Sequence, residues 1–464
     1  MKGFFHKYQT HLVLSAILLF ALILRIWGLG HPDMWIDETI SSLASLNILE
    51  KGVPVFDSGV LYSRALLFHY IQAFFMLIFG INDFSARIVS VMFGLATVLL
   101  AYFIGKEFNK PTGFISALFT AIIYLEVVYS RQARFYQMFQ FLLFLTIFLA
   151  YKAKDNKKYA FLSLISFVLL VQTQKAGLVL APLLLYVYAK ELKDVKFSSA
   201  LILVSLYFSL SLFGILSVDN SLITGYASEY SSGLFDGLRF FLILALIGIP
   251  FAYKNNKKLF AFLLLPCLIL LIGLLFVKLF AARYIYSMVL LVIILAANVL
   301  AYLNKNNKVL FWMVLIALVL YPSNLFFERG YLTMAYPEGV DHYSSTEPVL
   351  EYKSISQGSK DIIQSSPLVV LWSPGAEWYL KKPDYIIPFS LSGLESGYML
   401  VDGRDIYTNA EVFSNQVNDF ILIEDIFGYL KLNEEELREI ESLKEDCTVL
   451  EELRTLRISK CPKG

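Results

Sequence analysis

The sequence predicts a mainly α, polytopic membrane helix bundle, with about eleven transmembrane helices and one interfacial helix, followed by a small extracytoplasmic α/β domain at the C-terminus. Three observations predict this. Of 464 residues, 57% are hydrophobic and only 17% charged, against roughly a quarter charged in soluble domains. Apolar runs near the length of a membrane crossing recur from Leu12 to Phe327. The composition then changes at Phe326-Phe327-Glu328-Arg329-Gly330, after which polar stretches, prolines and turn residues take over. Two domains follow, 1–327 in the membrane and 328–464 outside it, with the first outer loop at 30–83.

This composition excludes disorder, collagen and coiled coil, and a simple soluble enzyme. A net charge of +1 gives no argument for nucleic acid, and three cysteines make neither a disulfide framework nor a zinc cluster. No small-residue cleavage site follows the first apolar run, so it reads as a retained span. Period-two alternation over ten-residue segments is absent, which excludes a transmembrane barrel.

In order, the apolar segments are 11–29, 84–105, 111–130, 135–151, 159–173, 176–189, 197–217, 234–253, 259–277, 284–303 and 309–327. The pair 159–173 and 176–189 is short for a full crossing and flanks polar Gln172-Thr173-Gln174-Lys175, so this hairpin is expected to end in a water-filled cavity. Topology comes from the linkers. Segments 106–110, 152–158, 190–196, 254–258 and 305–308 carry two, four, three, three and two lysines, whereas 131–134, 172–175, 218–233 and 278–283 are poor in them. Lys and Arg collect in cytoplasmic loops. All five lysine linkers lie inside only if the short apolar segment 65–80 stays in the outer interface. That choice puts the N-terminus in the cytoplasm and the C-terminal domain outside the cell membrane.

Several polar residues are then conspicuous on the outer side. Trp35-Ile36-Asp37-Glu38-Thr39 precedes a helical stretch at 39–50. Two readings are open: a helix N-terminus with Asp37 as cap and Glu38 in the first turn, or a general base or ligand for a polar substrate. Ser130-Arg131-Gln132-Ala133-Arg134-Phe135-Tyr136 joins two spans, and Arg283-Tyr284 opens another. Each is either an interfacial belt or an anion site of guanidinium forks. Arg25 and Arg87 lie near outer ends of spans and either snorkel or face a cavity, while Lys175 sits between two half-length helices. His69 on the interfacial segment reads as a packed histidine more readily than as a catalyst. There is no metal-ligand motif; Asp37 and Glu38 with Glu229 or Asp219 are the one candidate set for a divalent cation, and no other cofactor is implied.

Leu24-Arg25-Ile26-Trp27-Gly28-Leu29-Gly30, Trp35-Ile36-Asp37-Glu38, Arg87 and Tyr129-Ser130-Arg131-Gln132-Ala133-Arg134-Phe135-Tyr136, in that order, resemble the GT-C glycosyltransferases. Within them the chain is similar to the branch of protein O-mannosyltransferases and lipid-A aminoarabinose transferases. The resemblance covers about 1–200 and, through Ala282-Arg283-Tyr284, 281–303. It implies a sugar donor carried on a polyprenyl phosphate and a glycan, lipid or protein acceptor. It also implies Asp37 as catalytic base with Glu38 as companion, and Arg134, Tyr136, Arg131, Arg283 and Lys175 around the donor phosphate. Arg25, Arg87, Arg64, His69 and Tyr284 would support them. Lys175-Ala176-Gly177 is similar to a Lys-Gly step of related members. The family's Pro-Pro before the interfacial helix is replaced by Arg64-Ala65, which puts the acceptor path in question.

In the tail, 368–372, 384–388, 398–401 and 420–424 read as short strands and 433–444 as a helix capped by Asn433, hence a small α/β domain. Cys447 and Cys461 lie on the oxidising side, where a bond between them requires a hairpin. Two other function classes compete with a transferase. A carrier for a lipid-linked saccharide would grip phosphate with the same cations, and an assembly protein with an outer partner-binding domain would leave the ordered polar motifs without a reason.

Overall fold

A computed structural model of the chain describes residues 2–56, 59, 61–153, 156–188, 227–274, 285–320, 351–371, 374–387, 400–401, 404–405, 411–412, 419–425, 438, 440–442, 444–453 and 455–462. The expected span 197–217, the boundary at 327/328 and most of the 433–444 helix lie outside these residues. Helices run Lys2–Ile26 (α1), Ile36–Lys51 (α2), Leu66–Phe79 (α3), Asp83–Lys106 (α4), Lys110–Ile122 (α5), Tyr124–Tyr129 (α6), Tyr136–Lys152 (α7), Lys157–Thr173 (α8), Ala181–Tyr188 (α9), Ala227–Leu274 (α10), Val289–Asn306 (α11) and Lys308–Leu320 (α12). Three of the apolar helical stretches, Asp83–Lys106, Leu238–Gly273 and Val289–Asn306, are long and apolar enough to cross a membrane.

The chain divides into two compact units, Met1–Leu29 with Arg87–Glu347, and Gly30–Ala86 with Pro348–Gly464. In the first unit three of the five lysine-rich linkers come together. Helix α10 is broken at Asn256 (φ −155°, ψ 81°), and its side chain restarts the helix by accepting from the Leu259 amide at 3.1 Å. The Asn256 side-chain Nδ2 donates to the Glu107 carbonyl at 3.2 Å and to the Tyr151 hydroxyl at 3.0 Å, while Lys152 pairs with Glu107 at 2.7 Å. Linkers 106–110, 152–158 and 254–258 thus meet, as the lysine pattern groups them. Beside them α4 and α5 cross closely: a Cβ on Gly105 would lie 2.9 Å from the Gly113 Cα, a small-residue contact of the kind that lets membrane helices approach. The helix does break at the polar stretch 172–175: α8 stops at Thr173, a tight 3₁₀ stretch covers Lys175–Leu180, and α9 follows.

The second unit has its own core. Its tail adds helices Gln357–Ser365 (α13) and Pro374–Tyr379 (α14) and strands Leu368–Leu371 (β1), Tyr385–Ile387 (β2), Leu400–Val401 (β3), Arg404–Asp405 (β4), Glu411–Val412 (β5), Phe420–Asp425 (β6), Thr448–Glu452 (β7) and Leu456–Cys461 (β8). The main sheet has the order β5-β2-β1-β6-β8-β7. Its first four strands are parallel, with Val369 aligned on both Tyr385 and Leu422, and β8 and β7 close it antiparallel. The β7–β8 hairpin brings Cys447 and Cys461 into a disulfide, with Cα atoms 4.1 Å apart. One hydrophobic cluster joins Ile40, Leu43, Ala44, Phe56 and Tyr62 of the outer loop to Tyr352, Ile363, Leu368, Val370, Ile421, Ile423 and Ile458 of the tail. Each large aliphatic side chain buried there contributes about 1.5–3 kcal/mol. Helix α3 buries Phe68, His69, Gln72, Ala73 and Met76 at helical spacing and exposes Phe74, Leu77, Ile78 and Phe79. One apolar face is thus turned outward, as an interfacial helix requires.

Three details differ from the sequence reading. The run 111–130 is two helices, because Ile123 is extended (φ −62°, ψ 132°). Helix α2 begins at Ile36 rather than 39, so Asp37 stands in its first turn and Trp35 occupies the cap position. Helices α13 and α14 and the β7–β8 hairpin lie in stretches where no element was expected.

Candidate active site

The acidic pair is set by the start of α2. Glu38 is 1% exposed, and its Oε2 accepts from the Trp35 backbone N–H at 3.4 Å. It thus reaches back to the cap as the acid of a capping box does. Asp37, one residue earlier, keeps part of its surface open. Of the two, Glu38 is committed to the helix start and Asp37 is the less buried. Helix α2 is tied down behind them. Ser45 donates to Gln72 Oε1 at 2.6 Å, and Gln72 donates to the Ala86 carbonyl at 2.9 Å. His69 is fully buried, its ring centroid 5.4 Å from Tyr62 and 5.7 Å from Phe68; this is the packed-histidine arrangement. Arg64 is half-buried and precedes Ala65, whose φ of 52° puts a non-glycine residue in the left-handed region just before α3.

In the first unit, four arginines named by the sequence are buried: Arg25, Arg87 and Arg131 fully, Arg134 to 1% exposure. Helix α5 ends at Ile122, leaving carbonyls of its last turn without intrahelical donors. Arg25 takes two of them, donating to Ala121 O and Thr120 O at 2.9 Å each. Arg131 does the same for α1, donating through Nη1 to Leu24 O at 2.8 Å and Trp27 O at 2.7 Å. Arg87 donates to Leu29 O at 2.9 Å. The two helix ends are clasped reciprocally, a cation at each C-terminus, where the helix dipole favours it. The clasp needs a close approach: a Cβ on Gly94 of α4 would stand 2.6 Å from Ser130 Cβ and 2.8 Å from Arg25 Nε. These arginines do not snorkel; they point inward. Arg134 is held differently. Its guanidinium carbon lies 5.2 Å from the Phe135 ring centre and 5.5 Å from that of Tyr136, its Nη2 is 3.4 Å from the Tyr136 hydroxyl, and its carbonyl accepts from Ser90 at 3.0 Å.

Lys175 is exposed at the first position of the 3₁₀ stretch. Arg283, Tyr284 and Asp219 lie outside the described residues, and Glu229 lies within α10, its side chain not described. Among the described residues no group of three or more His, Cys, Asp or Glu gathers as a metal site.

One cluster escapes the sequence reading. Glu126, fully buried on the short helix α6, accepts from Gln140 at 2.9 Å and from the Tyr286 hydroxyl at 3.0 Å. Tyr286 also contacts Gln137, which donates to Thr97 at 2.9 Å and to Gln140 at 3.1 Å. The network ties α4, α6 and α7 to the segment that follows Arg283 in sequence. A lone acid inside an apolar run, with two glutamines three residues apart on α7, is the signal that could have found it.

The comparisons agree with this architecture. Residues 63–218 match the family described as dolichyl-phosphate-mannose-protein mannosyltransferase. An uncharacterized protein of Aquifex aeolicus (strain VF5) is 26% identical over 204 residues, 41% of each chain. A second from the same organism is 32% identical over 87 residues, 21% of its length. The chain therefore spans under half the length of these relatives. ArnT from Cupriavidus metallidurans, solved bound to undecaprenyl phosphate, superposes with a TM-score of 0.60 at 12% identity, covering 98% of both chains. The Archaeoglobus fulgidus oligosaccharyltransferase, in complex with Zn and sulfate, superposes with a TM-score of 0.54 at 14% identity, covering 89% of this chain and 68% of that one. The chain has the fold of the GT-C membrane glycosyltransferases, and its residues 63–218 carry the sequence pattern of the dolichyl-phosphate-mannose-protein mannosyltransferase family.

Proposed function

We propose that the chain transfers a sugar from a polyprenyl-phosphate donor, dolichyl or undecaprenyl, to an extracytoplasmic glycan, lipid or protein acceptor, with inversion at the anomeric carbon. The observation that carries this reading is Arg134, a buried cation in an apolar bundle, laid over Phe135 and Tyr136. A lipid phosphate needs hydrocarbon for its tail and buried cations for its anion. The relative solved with undecaprenyl phosphate supports the donor class. Asp37 takes the proton of the acceptor hydroxyl, whose oxygen attacks the anomeric carbon. The bond to the phosphate breaks opposite it, and the phosphate leaves with the electron pair, its growing charge met by Arg134, Arg283, Lys175 and Tyr136. Arg25, Arg87 and Arg131 shape the site by holding helix ends. The lysine linkers favour a cytoplasmic N-terminus, an outward active face and a cell-membrane location.

The test is incubation of the purified full chain with a panel of radiolabelled polyprenyl-phosphate sugars and a membrane extract. Label leaving one lipid for the extract is the expected result. Label that stays on every lipid but changes leaflet in liposomes would replace the transferase with a carrier.

A further inference from the structure

Unit two holds a second cluster of polar side chains that the reaction does not use. Three residues of the tail converge on the few residues of the outer loop that precede Asp37. The Lys353 ammonium donates to the carbonyls of Gly30, His31 and Pro32 at 2.8, 3.2 and 3.3 Å, pairs with Asp83, and lies 3.6 Å from Asp33. Its backbone N–H donates to Asp33 Oδ2 at 2.9 Å. The Trp378 indole donates to Asp83 Oδ1 at 2.9 Å, and the Tyr379 hydroxyl donates to Asp83 Oδ2 at 2.8 Å. The same hydroxyl oxygen accepts from the Met34 N–H at 2.6 Å. Asp33 and Asp83 are each 6% exposed, so the two carboxylates are buried with their partners in place.

We propose that Lys353, Trp378 and Tyr379 are positioning residues that, through Asp33 and Asp83, clamp loop 30–35 and so fix the start of the helix carrying Asp37. The proposal rests on the reading of Asp37 as base. It gives the tail a role in the reaction without contact to substrate. All six residues from Gly30 to Trp35 offer a backbone or side-chain atom to the clamp or to the capping contact of Glu38. Asp37 follows two residues later with no intervening turn. A base displaced by about 1 Å loses on the order of a hundredfold in rate, so freeing the loop should lower turnover while leaving donor binding alone.

The test compares full-chain Tyr379→Phe, Trp378→Phe and their double variant with wild type. Both replacements keep an aromatic ring, and Phe at 379 keeps the stacking of Tyr379 on Tyr352, whose centroids are 5.6 Å apart. Lys353→Met and Lys353→Arg form a second pair. The readouts are amide exchange of residues 30–38, kcat, KM for the donor and thermal melting. The expected result is faster exchange at 30–38 and a kcat, measured well below the melting transition, lowered tenfold or more in the double variant, with KM near wild type. Lys353→Arg should recover part of what Lys353→Met loses. Unchanged exchange overturns the clamp. Faster exchange with unchanged kcat overturns its role in positioning, as does a kcat loss that only tracks the melting temperature. Asp37→Asn, run alongside, separates the two ideas: wild-type turnover there overturns the base reading, while the exchange data still decide the clamp.

Discussion

Replacing Arg25 by Met keeps a long unbranched side chain and removes the guanidinium. Arg25 is fully buried and donates to Thr120 O and Ala121 O at 2.9 Å each. Both carbonyls belong to the last turn of α5, which stops where Ile123 becomes extended, so their intrahelical donors are missing. A buried acceptor stripped of its donor costs about 1–3 kcal/mol, giving about 2–6 kcal/mol for the pair. At about 2 °C per kcal/mol for a large domain, melting should fall by about 4–12 °C. The assay is thermal melting of the purified chain in detergent, followed by loss of the monodisperse peak, with donor-lipid binding measured well below the transition. The expected outcome is a lower melting temperature with donor affinity kept within about threefold. An unchanged melting temperature with donor affinity lost would refute the reasoning, because Arg25 would then be spending its charge on ligand and not on a helix end.

Other perturbations test other parts of the structure. Gly94→Val should disrupt the clasp, since even a Cβ would meet Ser130 Cβ at 2.6 Å and Arg25 Nε at 2.8 Å; a cost of about 1–3 kcal/mol is expected for overpacking, read as lower melting and lower yield of folded protein. Cys447→Ala with Cys461→Ala opens a loop closed at a separation of 14 residues, worth about 3 kcal/mol by chain entropy; faster proteolysis of the tail is the expected result, and reductant should mimic it in wild type. Burial nudges the Glu451 carboxyl upward, but hydrogen bonds from Ser359 and Ser356 outweigh it and hold it below the ordinary carboxylate value. A depressed folded pKa means stability present above the unfolded value and lost as pH falls through the folded one. Glu451 accepts from Ser356, the cap of α13, so amide protection of 356–365 should drop as pH falls below the ordinary carboxylate range in wild type and be reduced at neutral pH in Glu451→Gln.

Much of this was legible in the sequence where the physics is local. Lysines between apolar runs marked linkers, three of which meet in the first unit, and the polar break at 172–175 marked a real end of α8. Segment 65–80 was set apart by its short apolar length, and it forms a 14-residue helix with 68, 69, 72, 73 and 76 buried on one face. Roles that depend on distant partners were not legible. Arg25 and Arg131 stood out as intramembrane cations, but their carbonyl partners lie about a hundred residues away in sequence. Glu126 was hidden for the same reason: its partners Gln140 and Tyr286 come from other segments. The outer loop shares a core with the tail because Ile40 and Leu43 pack with Val370 and Ile423, a pairing no local pattern announces. Asp37 and Glu38 were found as a pair. Their separation into a buried capping acid and a less buried one follows from where α2 begins, three residues earlier than the sequence reading placed it.

The most direct test of the central claim is single-turnover transfer by the purified full chain, wild type against Asp37→Asn, with a polyprenyl-phosphate sugar whose binding is measured in the same preparation. The account predicts that the variant binds the donor as wild type does and transfers at least a thousandfold more slowly, with melting unchanged. Transfer at the wild-type rate by Asp37→Asn would contradict it.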